Sequence, residues 1–173
     1  MKNILPIVSL IFFVAMVGCG TKLPDGMPKL YPVTITVTQD GLPLENANVV
    51  LSGTDQWVSI GTTNTQGIAS LYTQGNYPGV PEGIFKVSVT KIGEEGEKPP
   101  PKPFSAESER IYKEYQKSGK KYKQFNVTPE QYRKAETTPL QIEIRKGVKN
   151  IMVNIEGTVK DELRRQSGPT VKP

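Results

Sequence analysis

Most of the chain after Val33 alternates between apolar and polar residues with a period of two. The clearest stretch is Val33-Thr-Ile-Thr-Val-Thr38, in which every second residue is apolar and the others carry hydroxyl groups. Successive side chains of a strand point to opposite faces, so this stretch predicts a strand with one buried and one wet face. Ile35 is expected in the core, with Thr34 and Thr36 pointing outward.

Six further stretches follow the same pattern, near residues 47–51, 57–61, 68–72, 85–90, 140–145 and 150–155. Turn residues separate them, for example Gln39-Asp-Gly41 and Asn64-Thr-Gln-Gly67, and residues 146–149 predict a short hairpin loop. Seven strands with turns at short intervals predict an all-β fold, a seven-stranded antiparallel β-sandwich. The residues expected to be buried are Val49, Phe85, Val87, Ile142 and Val153, and those expected outside are Lys86, Glu143 and Asn154.

Residues 93–138 interrupt the strand pattern and predict a small helical insertion before the last two strands. A stiff polyproline-like stretch, Lys98-Pro-Pro-Pro-Lys-Pro103, opens it. Ser105 is then expected to cap a helix that ends near Lys117 and Gly119, because the acidic residues fall in its first turn and the basic ones in its last. A capping box, Thr128-Pro-Glu-Gln131, predicts a second short helix.

This insertion is also strongly basic. Between residues 98 and 134 there are ten Lys or Arg and four Glu, a net charge of +6, while the whole chain carries only +5. We interpret Lys117, Lys120, Lys121 and Lys123 as a possible anionic-surface binding site, with lipid headgroups, an acidic cell-wall polymer or an envelope protein as the partner. The alternative is a solvated excursion whose Tyr and Ile residues cover one end of the sandwich. No nucleic acid partner is expected for an exported chain.

Residues 1–18 have the pattern of a signal peptide, with Lys2 followed by an apolar run from Ile4 to Val17. The run is shorter than the roughly 20 residues of a spanning helix. Met16-Val-Gly-Cys19 resembles the lipobox of bacterial lipoproteins, which implies that Cys19 is lipidated and becomes the mature N-terminus. An ordinary secreted protein is the alternative. Residues 19–29 then predict a tether, and residues 158–173 a disordered tail.

The resemblance places the protein in the bacterial cell envelope, held by membrane lipid through Cys19. Gly20 follows the cysteine where Asp would resemble an inner-membrane retention signal, so the outer membrane is favoured if two membranes are present. A single cysteine also excludes an internal disulfide.

Composition argues against most familiar catalytic chemistry. The chain has no histidine, which excludes Ser-His-Asp and Cys-His arrangements and a His-containing zinc site. Its four Asp, at positions 25, 40, 55 and 161, lack the spacing of a calcium loop, so no metal and no cofactor are expected. We therefore predict a non-catalytic binding or envelope-structural module. The alternative is a carbohydrate-binding or adhesion module with Trp57 and exposed tyrosines as its platform, although a tryptophan in this context is more often a core residue than a platform.

Three segments resemble the carboxypeptidase regulatory-like, or transthyretin-like, domain of bacterial lipoproteins of planctomycete type. They are Gly41-Leu-Pro-Leu-Glu-Asn-Ala-Asn-Val49, then Thr63-Asn-Thr-Gln-Gly67, then Gly83-Ile-Phe-Lys-Val-Ser-Val89. Phe85 stands where Tyr is usual, and Gln66 where Asp is commoner. The resemblance covers roughly residues 33–156, within a predicted domain of residues 30–157, and implies a prealbumin-like sandwich. It does not imply the hydroxyisourate hydrolysis of one branch, because that branch uses histidines and a C-terminal Tyr-Arg-Gly-Ser motif absent here.

Overall fold

The computed structural model describes residues 23–54 and 56–163, which form strands and a single α-helix. Cys19, Asp55 and residues 164–173 lie outside the described part. The strands are β1 (Leu30–Tyr31), β2 (Thr34–Gln39), β3 (Leu42–Pro43), β4 (Asn48–Ser52), β5 (Val58–Thr62), β6 (Ile68–Ser70), β7 (Tyr72–Thr73), β8 (Tyr77–Pro78), β9 (Val80–Pro81), β10 (Gly83–Thr90), β11 (Ile92–Gly96), β12 (Tyr122–Asn126), β13 (Gln141–Ile144), β14 (Asn150–Ile155) and β15 (Asp161–Glu162). The helix α1 is Ala106–Lys117, and a 3-10 turn spans Glu130–Tyr132.

Two main sheets enclose the hydrophobic core. The six-stranded sheet has the order β13-β10-β4-β5-β7-β8, and the second sheet has β14, β2 and β3 in that order with β6 also paired to β2. Inward residues of both sheets form one buried cluster, which includes Ile35 and Val37 from β2, Val49 and Leu51 from β4, Val87 and Val89 from β10, and Val153 and Ile155 from β14. The predicted all-β, sandwich-like character is confirmed at this level.

The predicted faces of the strands are also confirmed, with one adjustment. Five of the six expected core residues are buried, and Lys86, Glu143 and Asn154 are exposed. Ile142 is only half-buried, whereas Ile144, two positions along the same face, is fully buried. β13 is the outermost strand of its sheet, so one side of Ile142 has no neighbouring strand to cover it.

Three details of the predicted sandwich are wrong. The described residues contain 15 strand segments in four sheets rather than seven strands in two. The last strand of the two main sheets, β14, runs parallel to β2, with Ile151 opposite Ile35. Residues 146–149 form no hairpin, because β13 pairs with β10 in one sheet and β14 with β2 in the other. The loop carries the chain across the core, so β14 enters alongside β2 in the same direction.

The predicted helical insertion contains a helix and part of a small sheet. β12 pairs with β11 on one side and with β15 on the other, and we call β11, β12 and β15 the side sheet. β15 lies within residues 158–173, for which we predicted a disordered tail. The side sheet was not anticipated because Tyr122–Asn126 mixes polar residues with one aromatic residue on each face, and Asp161–Glu162 is wholly polar, so neither gives an alternation signal.

The second predicted helix is only the 3-10 turn Glu130–Tyr132. Thr128 does not cap it. Its buried Oγ1 instead accepts a hydrogen bond from the backbone N–H of Lys91, 3.0 Å away. This contact and the amide of Gln39, whose Nε2 donates to the carbonyls of Val127 and Gly157, join the side sheet to the end of β2.

Candidate functional site

The helix α1 carries three of the ten basic residues of the segment, Arg110, Lys113 and Lys117. Ser105 caps it as predicted, in a reciprocal pair with Ser108, and none of its residues is buried. Its position depends on contacts near its C-terminal end, where the Tyr115 hydroxyl donates to the carbonyl oxygen of Glu97 at 2.5 Å. Ile111 is exposed, so α1 does not cover the end of the sandwich. Tyr132, further along the same insertion, is buried in the core cluster, so the alternative interpretation holds for that residue.

The four candidate lysines divide into two pairs with different surroundings. Lys120 lies 2.6 Å from the carboxylate of Glu97, and Lys123 forms an ion pair with Glu162. Lys117 and Lys121 have no carboxylate within ion-pair distance in the part of the chain that the structure describes. Lys117 and Lys121 are therefore the two candidate lysines that can bind an external anion without breaking an internal ion pair.

Lys123 is the most strongly held of the four. It lies opposite Glu95 across the β11–β12 pair and reaches Glu162 on the other side. The hydrogen bond to Glu162 and the attraction of its charge raise the pKa of Lys123 above its usual value, with a smaller contribution from Glu95. Glu95 in turn has its pKa lowered by the hydrogen bond and charge of Lys160, which lies 2.8 Å away.

The net charge of this region is smaller than the sequence segment indicates. Residues 98–134 carry +6. The strands β11 and β15, together with Glu97 and Lys160 beside them, add one lysine and five carboxylates, which lowers the net charge to +2. These carboxylates are Glu94, Glu95, Glu97, Asp161 and Glu162. Six of the ten basic residues of the segment form ion pairs: Lys98, Arg110, Lys113, Lys120, Lys123 and Arg133. The other four cations are Lys102, Lys117, Lys121 and Lys134.

A second candidate site lies on the outer face of the six-stranded sheet. Val50, Ile60 and Tyr72 are directly opposite one another on β4, β5 and β7, so they form a row across three strands. The side chains of Ile60 and Tyr72 are 44% and 43% exposed. Asn48, Thr62, Asn64 and Ser70 adjoin this row and complete a cleft of about 730 Å³. We call it the sheet-face groove.

The groove exists because one strand passes from one sheet to the other beside it. β6 pairs with β2 in the second sheet, and β7, after Leu71, pairs with β5 in the first. Gly61 permits this crossing, since a Cβ at that position would lie 2.4 Å from the carbonyl oxygen of Ser70. The backbone therefore turns inward beside β5 and leaves a concave surface next to Thr62 and Asn64.

Two asparagine side chains are held in fixed orientations at the rim. The Asn48 Oδ1 accepts a hydrogen bond from the Thr62 hydroxyl at 3.1 Å. The Asn64 Oδ1 accepts from the backbone N–H groups of Gln66 and Ile68 at 2.9 and 3.0 Å. Within residues 23–54 and 56–163, the Nδ2 groups of both side chains have no hydrogen-bond partner, and every residue that lines the groove is uncharged.

The sequence analysis did not predict this groove, because it assigned one face of each strand to solvent and did not consider which residues share that face. The signal was present as an apolar residue at an outward position. Val50 lies between the buried residues Val49 and Leu51, and it breaks the alternation of β4. Trp57, the residue predicted as a carbohydrate platform, is half-buried just before β5 and does not line the groove.

Two negative observations complete the description. Among the described residues, no three His, Cys, Asp or Glu side chains cluster closely enough to hold a metal ion. No helix within residues 23–54 and 56–163 is long and apolar enough to cross a membrane.

Comparison of the chain with protein-family models, curated proteins and solved structures finds no match.

Proposed function

We propose that the protein is a lipid-anchored bacterial envelope protein that acts as a non-catalytic binding or structural module. The observation that carries the proposal is the position of Cys19. The only cysteine of the chain directly follows a short apolar run and a small residue, Gly18. Attachment of acyl chains there holds a protein at a membrane surface, since more than one chain is needed for stable anchoring.

The residues that follow Cys19 support this arrangement. From Leu23 to Lys29 all side chains but that of Met27 are exposed, and the first strand starts at Leu30. This segment is a spacer between the proposed anchor and the folded domain. An outer-membrane location is proposed for a cell with two membranes, because Gly20 is not the Asp of the retention signal.

The folded domain is proposed to be a carboxypeptidase regulatory-like domain with a prealbumin-like sandwich. Two facing sheets around one core support this proposal, and so does the position of the resembling segments on β4, on the turn before β6 and on β10. The segment from Thr63 to Gly67 forms a tight turn in which Asn64 accepts two backbone hydrogen bonds.

The anchor is tested by changing Cys19 to Ala in the full chain and labelling growing cells with radioactive palmitate. The wild-type protein is expected to take up label and to fractionate with membranes, whereas the Cys19→Ala protein takes up none. Gly20→Ala is the matched control, because it alters the neighbouring residue and keeps the thiol. Equal labelling of Cys19→Ala and wild type would show that the protein is not a lipoprotein acylated at this residue.

The location is tested with Gly20→Asp in a host with two membranes. This change is expected to move the labelled protein from the outer to the inner membrane in a sucrose gradient, without loss of palmitate. If the wild-type protein already sediments with the inner membrane, the outer-membrane proposal is wrong while the anchor proposal stands.

A second candidate function, carbohydrate binding, is favoured by one observation. The sheet-face groove combines an exposed tyrosine with amide and hydroxyl groups and no charge.

A further inference from the structure

We propose that the sheet-face groove is a binding site for a neutral saccharide, with the Tyr72 ring as the surface on which the sugar stacks. The proposal deepens the second candidate function, carbohydrate binding, on which it rests, and it does not depend on the proposed anchor. It also differs from the carbohydrate platform expected at Trp57, which lies outside the groove.

The size and shape of the groove suit a small segment of a glycan. Its volume of about 730 Å³ lies within the range of roughly 300–1,000 Å³ that is usual for ligand pockets. Val50, Ile60 and Tyr72 span three neighbouring strands, a width of about 10 Å at the usual strand spacing. That width is comparable to the length of a disaccharide.

The chemistry of the lining matches both surfaces of a sugar ring. One face of a hexose presents C–H groups, which pack against the electron-rich face of an aromatic ring and against aliphatic side chains. Tyr72 and Ile60 offer such a surface, each with more than two fifths of its side chain exposed.

The rim supplies hydrogen-bond donors whose direction is already fixed. Thr62 and the turn at Gln66–Ile68 occupy the Oδ1 atoms of Asn48 and Asn64, so the two Nδ2 groups are left to donate to a ligand. Sugar hydroxyl and ring oxygens accept such bonds. Little side-chain entropy is lost on binding, because these amides are held in place before the ligand arrives.

The absence of charge among the lining residues selects a neutral ligand over an anionic one. An anion requires a cation or several convergent backbone N–H groups, and charged side chains at the rim are usual for a protein partner. No lysine is among the residues that line the groove. Binding in the groove should therefore be insensitive to salt, unlike binding to the basic segment.

The test is calorimetric titration of the full chain with neutral hexaoses of glucose, mannose, galactose and xylose. The protein is kept in a zwitterionic detergent, because a detergent with a sugar headgroup would compete. At least one oligosaccharide is expected to bind, with the same affinity at 0.05 M and at about 0.5 M salt, where screening lengths differ severalfold. Absence of binding by the whole panel would overturn the proposal.

Variants locate the site. Tyr72→Ala is expected to weaken binding by about tenfold or more, as for aromatic anchors that a ligand covers, and Tyr72→Phe to retain most of it. Asn48→Ala should also weaken binding, and it tests the same site if Tyr72→Ala does not fold. Met152→Ala is the control, because Met152 is 80% exposed on the other sheet and should leave the affinity unchanged.

Two outcomes would assign binding elsewhere and contradict the proposal. The first is a sugar that alters Trp57 fluorescence and binds Tyr72→Ala as well as wild type, which would place the site at Trp57. The second is binding that falls steeply with salt, which would place it on the basic segment. Failure of Cys19 acylation would alter none of these results, so the two proposals fail separately.

Discussion

At the scale of single residues, burial in this protein follows the two-residue period of each strand. Phe85 and Val87 point into the core from β10, while Ile84 before Phe85 and Lys86 between the two are exposed. Phe85 is the only phenylalanine in the buried cluster. Because interiors are closely packed, removing its ring leaves a cavity that the neighbouring β-branched side chains cannot fill.

Phe85→Ala is therefore expected to lower the free energy of unfolding by about 3–5 kcal/mol. The measurement is urea denaturation followed by circular dichroism. Ile84→Ala is the matched control, since the Ile84 side chain is 56% exposed and its loss should change stability by less than about 0.5 kcal/mol. Comparable destabilisation by the two variants would contradict the assignment of the inner face of β10.

At the scale of elements, the sequence predicts the strands well and their pairing poorly. Alternation is a local property, so it located β2, β4, β5, β10, β13 and β14 within one or two residues of their observed ends. Partner choice depends on residues far away in the chain. Nothing near Asn150 indicates that β14 pairs in parallel with β2, and nothing near Lys123 indicates an ion pair with Glu162. The groove was missed for the same reason, because it depends on which strands lie next to β5.

The side sheet is the element least supported by the core. Its strands carry polar residues on both faces. Its tightest backbone contact is made by Gly96, the last residue of β11. A Cβ at Gly96 would lie 2.0 Å from the carbonyl oxygen of Lys121, and the φ angle there is +90°. Only glycine avoids both the clash and the strain.

Gly96→Ala is expected to open the β11–β12 pair and leave the sandwich folded. Hydrogen exchange followed by mass spectrometry should show faster exchange over residues 122–126, with no change in β4 or β10. Gly119→Ala is the matched control, because Gly119 also has a positive φ, +67°, but its Cβ would meet no atom within 4 Å. Equal acceleration by the two variants would show that strain alone, and not the contact with Lys121, controls this sheet.

At the scale of the whole molecule, charge is sorted by region. The strongly basic segment lies beside a group of carboxylates that neutralise most of it, while the sheet-face groove on the outer face of β4, β5 and β7 is uncharged. Exposed ion pairs contribute little to stability individually. Their main effect here is to decide which lysines remain available, and these are Lys117 and Lys121 rather than all four candidates.

If the basic segment binds an anionic wall polymer, the two lysine pairs should respond differently to reversal. Lys117→Glu with Lys121→Glu is expected to abolish binding of soluble teichoic acid and to leave the melting temperature unchanged. Lys120→Glu with Lys123→Glu is expected to lower the melting temperature, since it places new carboxylates beside Glu97, Glu95 and Glu162. Titration calorimetry and thermal unfolding of the full chain at 0.1 M salt measure the two effects. Binding that survives the first double change would show that the segment is only a solvated face.

The parallel pairing of β14 with β2 also sets the order in which the chain can fold. Thr34 and Thr38 bond to the side chains of Asn150 and Asn154, each 116 residues further along the chain. Contacts of such long range slow folding, because the entropy of closing the loop is lost before the strand pair forms. The second sheet cannot be completed until the chain is available as far as Ile155, the last residue of β14. A chain that is exported N-terminus first, as we propose, therefore remains incompletely folded while it passes through the membrane. It completes its fold only after nearly all of it has crossed that membrane.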